Sequence, residues 1–240
     1  MKRLSLFTLF FSIVFTIFFL LLIFFRTPFP SYPLMSWQDA IDVLTCLVLL
    51  PFFWILFKYC ARGEASLSDE IAFVILGAAW VFGHGMHLSA NSIDNLIEGL
   101  AKKQVLDITG TDIYTLTYFF DEQLSHYLRE LGFLGLVALL SIREWRQPAG
   151  QATAWWAAII GGFIHGFTYF CVFLEGQTTL LGFPFAIVFT LVTLIWGRKM
   201  LSRAPLLAFF FVALLVATIF FAGWGLYWGG FPEFSEVGLI

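Results

Sequence analysis

The sequence predicts an all-α, polytopic integral membrane protein with seven transmembrane helices and an outer interfacial amphipathic helix. Three observations carry this prediction. Hydrophobic residues make up 60% of the 240 positions and charged residues 12%, against the roughly 25% charge of an ordinary soluble domain, and mean hydropathy is +0.88. Seven apolar stretches approach the ~20 residues needed to cross a hydrocarbon core. Polar residues inside those stretches recur at helical spacing, as in helices that turn a polar stripe towards one another. No remaining segment is long enough for a soluble domain, so residues 1–240 read as one membrane domain.

The first span covers residues 4–25 and follows Lys2 and Arg3. Its apolar run exceeds the roughly 7 to 15 residues of a signal-peptide core, and no small-x-small cleavage site follows, so it reads as a retained span. A Pro-rich stretch, 26–37, makes an extended outer loop before the second span at 40–59. Ser66 and Asp69 form an N-terminal cap signal for the third span, 71–91. Beyond it, Ile93, Leu96, Ile97 and Leu100 repeat against Asp94, Asn95, Glu98 and Lys102, which predicts an amphipathic helix at about 93–103 lying in the interface. The remaining spans fall at 113–142, 154–174, 180–196 and 206–228. The last two hold no ionisable residue in their interiors and read as walls.

Charge placement orients the chain. Lys2, Arg3, Lys58, Arg62, Arg143, Arg146, Arg198, Lys199 and Arg203 fall on one side, and Arg26, Lys102 and Lys103 on the other. The positive-inside rule then puts the N-terminus in the cytoplasm and the C-terminus outside, in a plasma or inner membrane, with Trp37, Trp224, Tyr227 and Trp228 as the outer aromatic belt. The net charge of -3 and the lack of a basic tract exclude a nucleic-acid binder and leave membrane lipids as the expected surroundings. Cys46, Cys60 and Cys171 show no CxxC spacing, which indicates buried, inert thiols and neither a disulfide framework nor a thiolate zinc site.

The polar stripes point to a site. At about 100° per residue, His84, His87, Asn91 and Asp94 stay within roughly 80° of one another on the third span. On the fourth, Glu122 and His126 are four apart and share a face. Tyr118, Ser125 and Arg129 flank that face, and Asp121 points about 100° away from it. On the fifth, His165 sits between Gly162 and Gly166, small residues that admit a close neighbour, with Tyr169 one turn on and Glu175 near the outer end. Counting helix rise puts His84 and His87 about 7 to 12 Å beyond the midplane and His126 about 10 Å, with His165 deeper at about 2 Å.

Imidazole and carboxylate are the ligand types that zinc, iron, manganese and copper share. His84, His87, His126 and His165 are therefore the candidate ligands of a divalent metal ion, zinc first. Glu122 is a further ligand or a general base, Asp121 an alternative proton carrier, and Arg129 or Tyr118 a stabiliser of developing negative charge. Asn91, Asp94, Ser125, Tyr169 and Glu175 support the ligands or line the entrance. The pattern is neither the HExxH of zinc proteases nor the ExxH of di-iron bundles. The expected function is a metal-dependent membrane hydrolase acting on a lipid or other membrane-soluble substrate from the outer leaflet. The alternatives are a metal-ion or proton carrier built on the same groups, and an assembly subunit whose polar residues only join helices.

Overall fold

The computed structural model describes residues 3–25, 27–61, 65–148, 150 and 152–239. Lys2, Arg26 and Arg62, used above to orient the chain, lie outside them. The chain runs α1 (Arg3–Leu20), a 3-10 turn (Leu21–Phe24), a short antiparallel hairpin β1 (Pro28–Phe29) and β2 (Tyr32–Ser36), α2 (Trp37–Ala61), α3 (Leu67–Lys102), α4 (Asp112–Tyr118), a π turn (Phe119–Ser125), α5 (His126–Arg146), α6 (Trp155–Glu175), α7 (Thr179–Val192), a second π turn (Thr193–Gly197) and α8 (Pro205–Trp228).

Among the described residues, six helices are long and apolar enough to cross a membrane: α1, α2, α3, α6, α7 with its π turn, and α8. The stretch 113–142, expected as a plain fourth span, is divided into α4, the π turn and α5. The 21 residues of α5 carry Arg129, Glu130, Arg143, Glu144 and Arg146, too much charge to stand with the other six on composition. The interfacial helix expected at 93–103 is not a separate element either. α3 continues without a break to Lys102 over 36 residues, a rod of about 54 Å at 1.5 Å per residue. The reason lies in its partner: Ala90, Asp94 and Ile97, at spacings of four and three, are buried along a stripe, and α4 packs beside it. Of the apolar stripe that suggested a membrane surface, Ile97 is buried on this side, whereas Ile93 and Leu96 stay exposed.

Local chemistry accounts for the helix ends. Ser66 caps α3 by accepting from the Asp69 amide at 3.3 Å, as its position in the sequence predicts. α8 begins on Pro205, whose missing N–H costs nothing at the first turn, and ends on Gly229 at φ +69°, a left-handed conformation suited to glycine.

α6 is the central helix. α1 presents a small-residue stripe, Ser5, Thr8 and Ser12, against Gly161 of α6, where an added Cβ would lie 3.0 Å from the Leu9 Cα. Ser5 Oγ accepts from the Ala154 amide at 3.0 Å at one end of this contact, and the Thr16 and Thr168 hydroxyls meet at 2.7 Å towards the other. On α6's opposite side, a Cβ at Gly166 would lie 2.2 Å from the Ala213 carbonyl oxygen of α8. Glycine brings these backbones together, as the spacing around His165 anticipates. Buried aromatic and aliphatic side chains from α1, α2, α5, α6 and α8, among them Phe11, Phe53, Phe133, Phe173 and Phe209, fill the centre.

The two ends of the bundle differ. One gathers Lys58 with Glu70 at 3.0 Å, Asp69 with Arg143, and the buried Glu144 carboxylate, which accepts from the Leu207 amide at 2.6 Å. The other gathers the histidines of α3 and α5.

Candidate functional site

α3 and α5 make the site because their backbones touch. An added Cβ at Gly83 would lie 2.4 Å from the Arg129 amide nitrogen, and one at Gly132 would lie 2.5 Å from the Trp80 nitrogen. Side chains one turn from the Gly83 contact, His87 on α3 and His126 on α5, therefore meet across a narrow gap.

His126 Nδ1 lies 2.8 Å from the Gly176 carbonyl oxygen, so that nitrogen carries the proton and donates it. The lone pair of His126 Nε2 then faces His87 Nδ1 at 3.2 Å. Asp121 Oδ1 approaches the same His87 nitrogen at 2.8 Å, without the alignment of a hydrogen bond. Neither oxygen of Asp121, a side chain 1% exposed, has a hydrogen-bond partner among the described residues. Two imidazole nitrogens and one carboxylate oxygen thus crowd together inside a helical bundle.

Asp121 enters this cluster because of the π turn. In an α-helix Glu122 stands one turn from His126 on the same face, and Asp121 does not. The i→i+5 pattern of a π helix puts Asp121, five residues before His126, in that position. Ser125 stabilises the distortion by donating its hydroxyl to the Asp121 carbonyl. Asp121, expected to point about 100° away from the face of His126, thus has its carboxylate 2.8 Å from His87. Glu122 is half-buried beside the cluster.

The structure adds two residues that the sequence reading passed over. His84 Nε2 lies 3.2 Å from the Asp42 carbonyl oxygen and 3.3 Å from its Oδ1, so it donates towards α2, while His84 Nδ1 is buried without a partner among the described residues. Asp42 also accepts from the Thr45 hydroxyl at 2.7 Å. Glu130, 2% exposed, accepts from Arg129 Nε at 3.1 Å and Nη2 at 2.9 Å. Both acids had a signal: an aspartate just inside the apolar run of α2, and an Arg-Glu dipeptide inside an apolar stretch. Below the pair, Phe15, Trp80, Arg129, Glu130, Phe133 and Tyr169 line a cavity of about 10 Å³, the size of one water molecule.

His165 stands apart from the other three histidines. Its ring is enclosed by Phe11, Phe15, Phe133, Phe209 and Phe210 at centroid distances of 4.5 to 6.1 Å, and neither nitrogen has a hydrogen-bond partner among the described residues. The depth offset counted along the sequence corresponds to a real separation. Of the expected supporting residues, Asn91 binds Asn95 within α3, and the Tyr169 hydroxyl donates to the Gly182 carbonyl at 2.8 Å. Glu175 accepts from the Phe234 amide at 3.0 Å and so holds the C-terminal segment. Asp94 faces Tyr114 of α4, and Tyr118 is 39% exposed at the rim. Among the described residues, no group of three or more His, Cys, Asp or Glu side chains is arranged to hold a metal ion.

Comparison with protein-family models, curated proteins and solved structures finds no match for this chain. The fold defines a helical membrane protein, and its function rests on the site's chemistry.

Proposed function

We propose that Asp121, His87 and His126 bind a divalent metal ion, and that the protein is a metal-dependent membrane enzyme with hydrolysis of a lipid or other membrane-soluble substrate as its leading reaction. One observation carries the proposal: the buried Asp121 carboxylate has no hydrogen-bond donor and lies beside two imidazoles. A buried anion without a partner costs several kcal/mol, and a cation offsets that cost. His126 Nε2 already presents a lone pair, and His87 Nδ1 joins it by releasing its proton. Tetrahedral zinc, with ligand distances of about 2.0 to 2.1 Å, sets neighbouring donors about 3.3 Å apart. His87 Nδ1 is within about half an ångström of that spacing from both His126 Nε2, at 3.2 Å, and Asp121 Oδ1, at 2.8 Å, and Asp121 and His126 have to reach it from each other for the three to share an ion. Zinc is the first candidate, with iron, manganese and copper sharing these donors.

When bound, such an ion supplies a Lewis acid and an acidified water. The chain's own groups have separate tasks. Glu122, half-buried beside Asp121, carries protons between the site and the rim. Arg129, held by Glu130, contributes a fixed positive field for developing negative charge. Asp42 fixes the orientation of His84. The positive-inside reading places this end outside, the N-terminus in the cytoplasm, and α5 as a seventh span.

A proton carrier is the second reading, favoured by the His87 to His126 contact, which shares one proton between two imidazoles. Its weakness is one-sidedness. Beyond Arg129 and Glu130 the centre is filled by Phe11, Phe53, Trp80, Phe133 and Phe209, all buried, with His165 as the ionisable group among them.

Elemental analysis and zinc titration of the purified protein, prepared in metal-free buffer, test the proposal. The wild type is expected to hold about one ion per chain, as a single tetrahedral site would. Asp121→Asn and His126→Ala should lose it, while Glu122→Gln should retain it and lose turnover. A wild type that takes up no metal even on titration overturns the metal reading, and proton uptake into proteoliposomes then tests the carrier.

A further inference from the structure

At the opposite end of the bundle, α5 and α7 touch at few points. Between them runs an apolar groove of about 200 Å³, lined by Ala138, Ile142 and Trp145 of α5, Val188 and Val192 of α7, and Leu207 of α8. Leu207 is a fixed floor, because its amide is held by the buried Glu144 carboxylate. The groove ends at the second π turn, Thr193–Gly197, and Arg198 and Lys199 follow it directly.

Three features select its occupant. Trp196, 65% exposed, and the half-buried Trp145 mark this level, and tryptophans concentrate at the headgroup boundary. Arg146, Arg198, Lys199 and Arg203 are all exposed there, and none belongs to an ion pair among the described residues. No Asp or Glu occurs between Glu175 and Glu233, and the nearby Glu144 is buried and directed at the Leu207 amide. An apolar slot that opens at headgroup level onto unneutralised cations matches a phospholipid with net negative charge, since basic pockets between spans hold such headgroups.

We infer that the groove between α5 and α7 seats an acyl chain of an anionic phospholipid whose phosphate is bound by Arg146, Arg198 and Lys199. This inference is independent of the histidine site. Apolar contact fixes the chain, and the cations set the preference for a negative headgroup. A zwitterionic lipid with the same tails fills the slot equally well and gains no net charge attraction.

Native mass spectrometry of the full chain in neutral detergent, titrated separately with dioleoyl phosphatidylglycerol and dioleoyl phosphatidylcholine, tests this. The wild type should retain phosphatidylglycerol preferentially. The exposed double variant Arg198→Gln, Lys199→Gln should weaken that binding about thirtyfold, the effect of two surface cations, and leave phosphatidylcholine unchanged. Val188→Trp, which fills the slot from a side chain 59% exposed, should weaken both lipids. Equal retention of the two lipids by the wild type overturns the inference, as does a preference that survives the charge change. If Val188→Trp has no effect, the cations attract headgroups without a seat for the chain, which also overturns it. Unaltered melting temperatures confirm that the variants are folded.

Discussion

Asp121 and Glu122 are neighbours in the chain, yet only Asp121 lies in contact with a histidine. The difference depends on single residues that keep two helices close. Gly83 and Gly132 each stand where a methyl group would enter the facing backbone, at 2.4 and 2.5 Å. Backbone cannot move aside as a flexible side chain can, so Gly83→Ala should force α3 and α5 apart and destabilise the protein by about 1 to 3 kcal/mol. Gly85→Ala, two residues along the same helix with nothing within 4 Å, should be neutral or stabilising by up to about 1 kcal/mol. Thermal unfolding in detergent, compared between the two variants, checks this. Equal effects would mean that the close crossing does not hold the site together.

At the scale of elements, the π turn is the feature on which the site depends. It behaves as a one-residue insertion in an otherwise α-helical rod that runs from Asp112 to Arg146. Deleting the exposed Gln123 should return the segment to α geometry with Asp121 four residues from His126, still on its face. The phase of α4 and α5 is kept, and the variant should fold and bind metal much as the wild type does. Deleting Tyr127, also exposed, removes a residue from regular helix and turns everything before it by about 100° relative to α5. That variant should lose metal binding, as titration with zinc would show. If both deletions abolish binding, the π turn itself is needed for more than register.

For the whole molecule, the number of crossings decides the topology. With α5 as a seventh span the termini lie on opposite faces, and with only the six apolar helices they lie on the same face. In protein cleared of Cys46, Cys60 and Cys171, single cysteines introduced by Lys2→Cys and Leu239→Cys should react with an impermeant maleimide from opposite sides of sealed vesicles. Labelling of both from one side would remove α5 from the spans. The ion pairs within the bundle favour the crossing. Arg129 is matched by Glu130, Arg143 by Asp69, and Glu144 by a backbone amide, so α5 carries its charge to partners and away from lipid.

The sequence by itself determined the class of this protein, the positions of its apolar helices, the cap at Ser66, and the placing of His84 and His87 on one face of α3. These follow from hydropathy and from a helical period that repeats every few residues, which are local properties. It also anticipated that His87 and His126 lie at one level of the bundle, because rise per residue is constant in regular helix. Only the tertiary structure decided which carboxylates reach those histidines. Asp121 reached His87 through a π turn, a break in the regular helical period. Asp42 came to His84 from α2, a helix that shares no local pattern with α3. His165 was enclosed by phenylalanines because α1 and α8 converge on α6 at glycines and Phe133 of α5 reaches the same space. The stretch 93–102 became part of a long α3, with Asp94 and Ile97 buried on the side where α4 packs and Ile93 and Leu96 left exposed. Helix periodicity states which side chains share a face, and packing alone selects what that face meets.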